Sequence, residues 1–103
     1  MIVRMWRGTV PKAKKAAYID YINRTGMTEY RATAGNRGAY MLCRELGETV
    51  EFLTLTFWEN LEAIKRFAGD EYLRARYYPK DGEYLDEFAP FVEQFEVVDA
   101  PAR

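Results

Sequence analysis

Residues 52–69 read FLTLTFWENLEAIKRFAG, and the fold turns on how that stretch is divided. Up to Trp58 the large side chains alternate with a period of two, the spacing of a strand. The polar pair Glu59-Asn60 interrupts the run, and from Leu61 the apolar residues recur as Leu61, Ile64, Phe67 and Ala68. That is helical spacing, and it stops at Gly69. Asn60 stands where an N-cap belongs, because its side-chain oxygen can take one of the unpaired N–H groups of a first turn. A strand running straight into a helix is therefore expected, with Trp58 at the corner. An indole there is either a pocket wall with an N–H to offer or a wedge sealing strand against helix, and aromatic corner residues more often pack.

Upstream, the strand extends back through 49–58, TVEFLTLTFW, with two distinct faces: Glu51, Leu53, Leu55 and Phe57 on one, Val50, Phe52, Thr54, Thr56 and Trp58 on the other. Gly47-Glu48 makes a tight hairpin link to a strand over 39–46, AYMLCREL. The segment before it, 28–38, is rich in turn residues. At the N-terminus, 2–9 reads as a strand ended by Val10-Pro11. Residues 12–24 read as a helix that gathers Tyr18, Ile19, Tyr21 and Ile22 on one arc and stops at Gly26.

Downstream, 70–90 is charged and aromatic, with short helical turns broken at Pro79 and at Asp81-Gly82. A last strand covers 91–98, and the tail 98–103 is expected to fray. The order β-α-β-β-α-β predicts an α+β, ferredoxin-like fold: a four-stranded antiparallel sheet with both helices on one face. The 103 residues, 49% hydrophobic, suit one packed domain over 1–103.

Two helices cover only one face of such a sheet, and neither face here turns polar. Whichever is left open still carries residues such as Leu53, Leu55 and Phe57, joined by Phe91, Phe95 and Val97 of the last strand. A homodimer through the sheet faces, closing a barrel-like core, is the expected partner.

Charge and composition remove several function classes. The 15 Lys+Arg against 16 Asp+Glu leave net −1 with no long like-charge run, which argues against nucleic acid and anionic membrane. No apolar run is long enough to span a bilayer, and the first residues, MIVRMWRG, carry arginines inside an apolar run, unlike a signal peptide. A single Cys43 fits a reducing, cytoplasmic setting. The chain has no histidine, which removes the usual base and the commonest metal ligand and excludes zinc and blue-copper sites; carboxylate-only Mg or Ca sites stay open, but no EF-hand or Asp-x-Asp spacing is present, so no metal site is expected.

Candidate site residues follow from position. Arg4 interrupts an apolar strand on the same face as Trp6, where a guanidinium can hold an anionic substrate or oxyanion. The favoured alternative is an interface ion pair with Glu51, Glu93 or Glu96. Tyr18, Tyr21, Tyr30 and Tyr40 can direct phenols toward a shared cavity, although most Tyr residues are core with a wet tip. Asn36-Arg37 lies in a Gly-flanked loop that turn geometry alone explains. Trp58, Arg4 and Thr54 are the catalytic candidates; Trp6, Tyr18, Tyr30, Tyr40 and Asn36 are the substrate-binding ones.

The βαββαβ order, the loop TAGNRGAYML and above all TLTFWENLEAIKRFAG resemble the antibiotic biosynthesis monooxygenase superfamily of dimeric α+β barrels, over residues 2–98. The resemblance implies a cofactor-free monooxygenase acting on an electron-rich aromatic or polyketide-like molecule; the alternatives are a non-enzymatic barrel binding an apolar small molecule and a purely structural protein. Of the superfamily's functional positions only Trp58 matches. Cofactor-free oxygenases of this kind carry Asn where this chain has Thr54 and Tyr where it has Ile64. Haem-degrading relatives carry His at the position of Ala68, and their first-strand Asn has no counterpart among Arg4, Met5 and Trp6. These departures speak against haem degradation.

Overall fold

The computed structural model describes residues 1–101. Its elements are β1 (Ile2–Pro11), a 3-10 turn (Lys12–Lys14), α1 (Lys15–Arg24), α2 (Gly26–Ala32), β2 (Asn36–Leu46), β3 (Thr49–Trp58), α3 (Leu61–Ala68), a second 3-10 turn (Asp81–Glu83) and β4 (Glu93–Glu96). All pairings are antiparallel and the strand order is β2-β3-β1-β4. This is the ferredoxin-like arrangement anticipated above.

The deciding stretch folds as its spacing requires. β3 buries every second residue, from Val50 through Phe52, Thr54 and Thr56 to Trp58, and leaves the alternate set half-buried. Asn60 caps α3 by accepting the Ala63 N–H at 3.0 Å. Gly69 ends that helix at φ 81°, a conformation open to glycine at little cost. Ala63, Ile64 and Phe67 form the buried stripe of α3.

Three expectations need correction. The first crossover is a helix in two pieces, because Gly26 does not stop it: its φ is not positive, as a terminating glycine's would be. The chain bends at Thr25, whose hydroxyl takes the Tyr21 carbonyl at 2.9 Å, and α2 then continues through much of the region read as turns, burying Met27 and Tyr30. Asp81-Gly82 forms a 3-10 turn where a break was expected. β4 is shorter than 91–98, since Phe91 bridges to Arg74 and the Val92 N–H bonds the Leu73 carbonyl at 2.8 Å. The predicted fraying of the tail falls in part on residues 102–103, outside the described residues.

Residues 70–92 thus form a long strap. Its base is closed by the Arg74–Phe91 bridge and by Ala75 N–H to Pro90 carbonyl at 2.9 Å. The tip folds back against the helix-covered face of the sheet, burying Leu85 and Asp81. A loop of this length with so little secondary structure of its own usually serves function.

Among the described residues nothing covers the far face of the sheet. Tyr40 (60%), Phe95 (53%) and Leu42 (44%) are largely exposed there, around half-buried Val3, Met5, Leu53, Leu55 and Phe57.

Candidate functional site

The strap closes a small cavity between sheet and helices. β1 supplies Arg4 and Trp6, α1 supplies Tyr18 and Ile22, α2 supplies Tyr30, and the strap supplies Arg76, Tyr77, Tyr78 and Asp81. Local sequence explains the Trp6 pose: a Cβ on Gly8 would lie 2.4 Å from the indole, so only glycine lets the ring lie along the strand. The Trp6 Nε1–H donates to the Tyr77 hydroxyl at 3.2 Å, and that hydroxyl donates to the Ala89 carbonyl at 2.6 Å. The free volume is about 20 Å³, room for roughly one water molecule.

Arg4 is the unusual member. It is 2% exposed, and its guanidinium donates from Nη2 to the Arg74 carbonyl at 3.0 Å. Nε has no partner. The guanidinium lies 5.4 Å from the Phe67 ring centroid, with Arg76 against the same ring at 5.0 Å. Glu29 pairs with Arg76 at 2.9 Å, and among the described residues no carboxylate pairs with Arg4. Desolvation pushes the Arg4 guanidinium below its usual range, while the Tyr30 phenol beside it works the other way. Keeping a cation out of water without a counter-charge costs free energy that packing does not require.

The expected interface ion pair is not formed. Arg4 is on the covered face, and Glu51 on the open face is taken by Arg44 at 2.7 Å and Arg7 at 3.5 Å.

The phenols around the cavity are held neutral. Burial raises Tyr18, Tyr77 and Tyr78 above the ordinary phenol range; Tyr78 is raised further by donating to Glu29. Asp81 is likewise raised by burial, opposed by the Tyr78 N–H that it accepts.

Of the sequence candidates, Arg4, Trp6, Tyr18 and Tyr30 meet at the cavity wall. Thr54 and Trp58 stand one layer behind. The Thr54 hydroxyl is 3.4 Å from that of Tyr30, and Trp58 donates to Thr56 at 2.8 Å while packing against Tyr30 and Phe67. Tyr40 projects from the opposite face, edge-on to Phe57, because its register partner is Leu55. Asn36 sits at a bulge opening β2, where its Oδ1 accepts the Gly38 N–H at 3.1 Å. Tyr21 meets the strap, accepting the Lys80 N–H at 3.1 Å.

Sequence reading missed Arg76, Tyr77, Tyr78 and Asp81. The signal was RARYYPKDGEY (74–84), whose mixture of aromatic and charged residues is too apolar for a solvated loop. Among the described residues no three Cys, Asp or Glu side chains converge as a metal site would require.

Solved structures with this geometry cover the chain end to end. An antibiotic biosynthesis monooxygenase candidate of Bacillus cereus superposes with TM-score 0.69 at 14% identity, covering 99% of this chain and 97% of its own. The fold shared with it is the four-stranded antiparallel α+β arrangement described above. The haem degrader MhuD of Mycobacterium tuberculosis, with two haems bound in its active site, gives TM-score 0.65 at 20% identity over 99% and 100% of the two chains. An uncharacterised NIPSNAP domain protein of Burkholderia xenovorans gives 0.59 at 17% over 99% and 100%. At these identities the likeness concerns fold alone. No family model matches the chain. No curated protein matches it either.

Proposed function

We propose that the chain is a monooxygenase-type barrel that binds the anion of an electron-rich aromatic or polyketide-like molecule in the Arg4 cavity and lets it react with O₂ without a cofactor. The observation carrying this reading is Arg4: buried, without a carboxylate, and walled by aromatic rings. Such a group supports a developing or resident negative charge far better than it supports the fold. Anion formation raises electron density at ring carbon. Two electrons pass from that carbon to O₂ as a C–O bond forms; the hydroperoxide then loses water, leaving one oxygen atom as a carbonyl. The protein's part is to orient the ring, exclude water and hold the charge.

A ring does not fit in about 20 Å³, so admission requires the strap to lift. Gly69, with a positive φ and no atom within 4 Å of its Cβ direction, is the natural hinge. The open sheet face is proposed to pair two copies, and the lone Cys43 accords with a cytoplasmic setting.

The second reading is a binding protein without turnover. It draws support from Trp58 and Thr54, which stand behind the cavity wall, and from the apolar Ile64.

Oxygen uptake with a panel of anthrone-type and phenolic compounds tests the pair. Turnover by the wild type that drops at least tenfold in Arg4→Gln supports the oxygenase. Binding without uptake, seen as quenching of Trp6 in a Trp58→Phe background, supports the second reading. Neither uptake nor quenching across the panel would sink both.

A further inference from the structure

Two buried charges of opposite sign line this cavity, and they do not pair. Among the described residues Arg4 has no carboxylate partner, and Asp81, 6% exposed, contributes the only carboxylate in the wall. No ion pair joins them, whereas Glu29, Glu51 and Glu59 are all bridged by arginines. Asp81 accepts the Tyr78 N–H and opens the 3-10 turn of the strap. An asparagine would accept the same N–H with no charge to bury, so the turn does not account for the carboxylate.

We propose that Asp81 is the proton acceptor of the cavity, and that the ligand is a neutral weak acid, a phenol or enol, that ionises there. This rests on the ligand reading above and names its chemistry. The ligand O–H bond breaks, the proton passes to an Asp81 carboxylate oxygen, and the electron pair stays on the ligand oxygen facing Arg4. Overall charge in the cavity is unchanged: the Asp81–Arg4 pair of charges becomes a ligand–Arg4 pair. In a chain with no histidine, a buried carboxylate is the group placed to do this.

The neighbours favour a proton resting on Asp81. Tyr18 and Tyr21 of α1 and Tyr77 of the strap face it with neutral phenols, and Glu83 follows on its own turn. Arg76 is committed to Glu29, Arg4 lies across the cavity, and Lys80 approaches through its backbone N–H, which bonds Tyr21. Burial already shifts Asp81 toward the protonated form.

The probe is 4-nitrophenol, whose phenolate has its own visible absorption band. 4-nitrobenzenesulfonate, anionic throughout, and 4-nitroanisole, which cannot ionise, serve as companions. In the wild type the bound phenolate fraction should hold a plateau over a pH range, because the proton moves within the complex and none is released. In Asp81→Asn the plateau should vanish and the phenolate band should fall about tenfold per pH unit below its midpoint. Sulfonate affinity should not fall in Asp81→Asn, which removes a like charge from the cavity, and should weaken at least tenfold in Arg4→Gln, roughly the value of a charge-assisted hydrogen bond. Nitroanisole should bind more weakly than nitrophenol to the wild type.

A wild type without a plateau, or an Asp81→Asn profile matching it, overturns the role of Asp81; sulfonate binding that still depends on Arg4 then leaves the anion site standing. If neither nitrophenol nor sulfonate binds the wild type, both fall together. The wild-type profile decides the matter alone should Asp81→Asn fail to fold.

Discussion

Arg4 and Arg7 sit on the same strand and face opposite ways. Arg7 points to the open face, is exposed, and shares Glu51 with Arg44. Such pairs lie in high dielectric and contribute little, so the open face gains order rather than much stability from them. Arg4 points under the helices and strap, lacks a carboxylate, and has an unsatisfied Nε. The other members of the two faces show the same inversion. The covered face, which should be the dry core, holds Arg4, Thr54 and Thr56, with Asp81 above them. The open face, which should be wet, shows Phe95, Leu42 and Tyr40. A chain that only had to fold alone would distribute these residues the other way round. The covered face thus carries polar groups that folding alone does not call for, and the open face apolar ones that no described residue covers.

The sharpest way to break this contrast is at the corner of the covered face. Trp58 is fully buried against Tyr30 and Phe67, and its N–H is spent on Thr56. Trp58→Ala should cost about 3–5 kcal/mol in urea unfolding, the usual loss for a buried Trp, and Trp58→Phe clearly less. Nitrophenol and sulfonate affinity should be unchanged in Trp58→Phe. A Trp58→Phe variant with native stability and abolished ligand binding would return Trp58 from wedge to wall.

The open face is tested by association. Leu55 lies at the centre of that face, paired with Met5 and Tyr40 across the neighbouring strands. Leu55→Glu should weaken self-association at least about a hundredfold, near 2.7 kcal/mol, while urea unfolding of the separated chains changes little. Sedimentation at micromolar concentration reads it directly. A wild type sedimenting at 12.1 kDa would remove the dimer altogether.

Legibility in the sequence divides along the same line. The β3–α3 stretch was readable to the residue because every signal there is local: period two, then an Asn cap, then helical spacing, then glycine. The two-piece first helix was not, because Gly26 and the polar residues after it read as turn. What overrides them is burial of Met27 and Tyr30, a tertiary effect. Arg4, Trp6 and Tyr18 could be placed together since strand parity and helical arc each select a face, whereas Tyr30 owes its place to α2, which was not read as a helix. Tyr40 was legible but misassigned: counted back from the hairpin, Leu46 opposite Thr49 puts Tyr40 opposite Leu55 on the open face, and the bulge at Asn36/Gly38 lies beyond it. Arg76, Tyr77, Tyr78 and Asp81 were invisible as site residues because nothing local says that a strap folds back.

Arg4 itself gives the next test, with the opposite sign. Arg4→Met keeps the length and removes the buried charge, so stability should rise by about 1–2 kcal/mol while sulfonate binding is lost. The gain is tempered by the lost bond to the Arg74 carbonyl and the contact with Phe67. A loss of stability beyond about 1 kcal/mol would instead make Arg4 a fastener for the strap, comparable in size to the hydrogen bond it makes.

The smallest effect comes from the phenols that the covered face keeps neutral. Burial raises Tyr18, Tyr21, Tyr77 and Tyr78, whereas in the unfolded chain each ionises near the ordinary value of about 10. Above that pH the unfolded state gives up protons that the folded state retains. Folding then binds more protons than unfolding, and stability must fall as pH rises; below it these groups contribute no slope. At about pH 10.5 one such Tyr costs roughly 0.8 kcal/mol, growing toward 1.4 kcal/mol per further unit. Urea midpoints between pH 8 and 11 should therefore bend downward, and Tyr18→Phe should flatten the bend by the share of one phenol. An unchanged bend in Tyr18→Phe would mean that burial does not hold the Tyr18 proton.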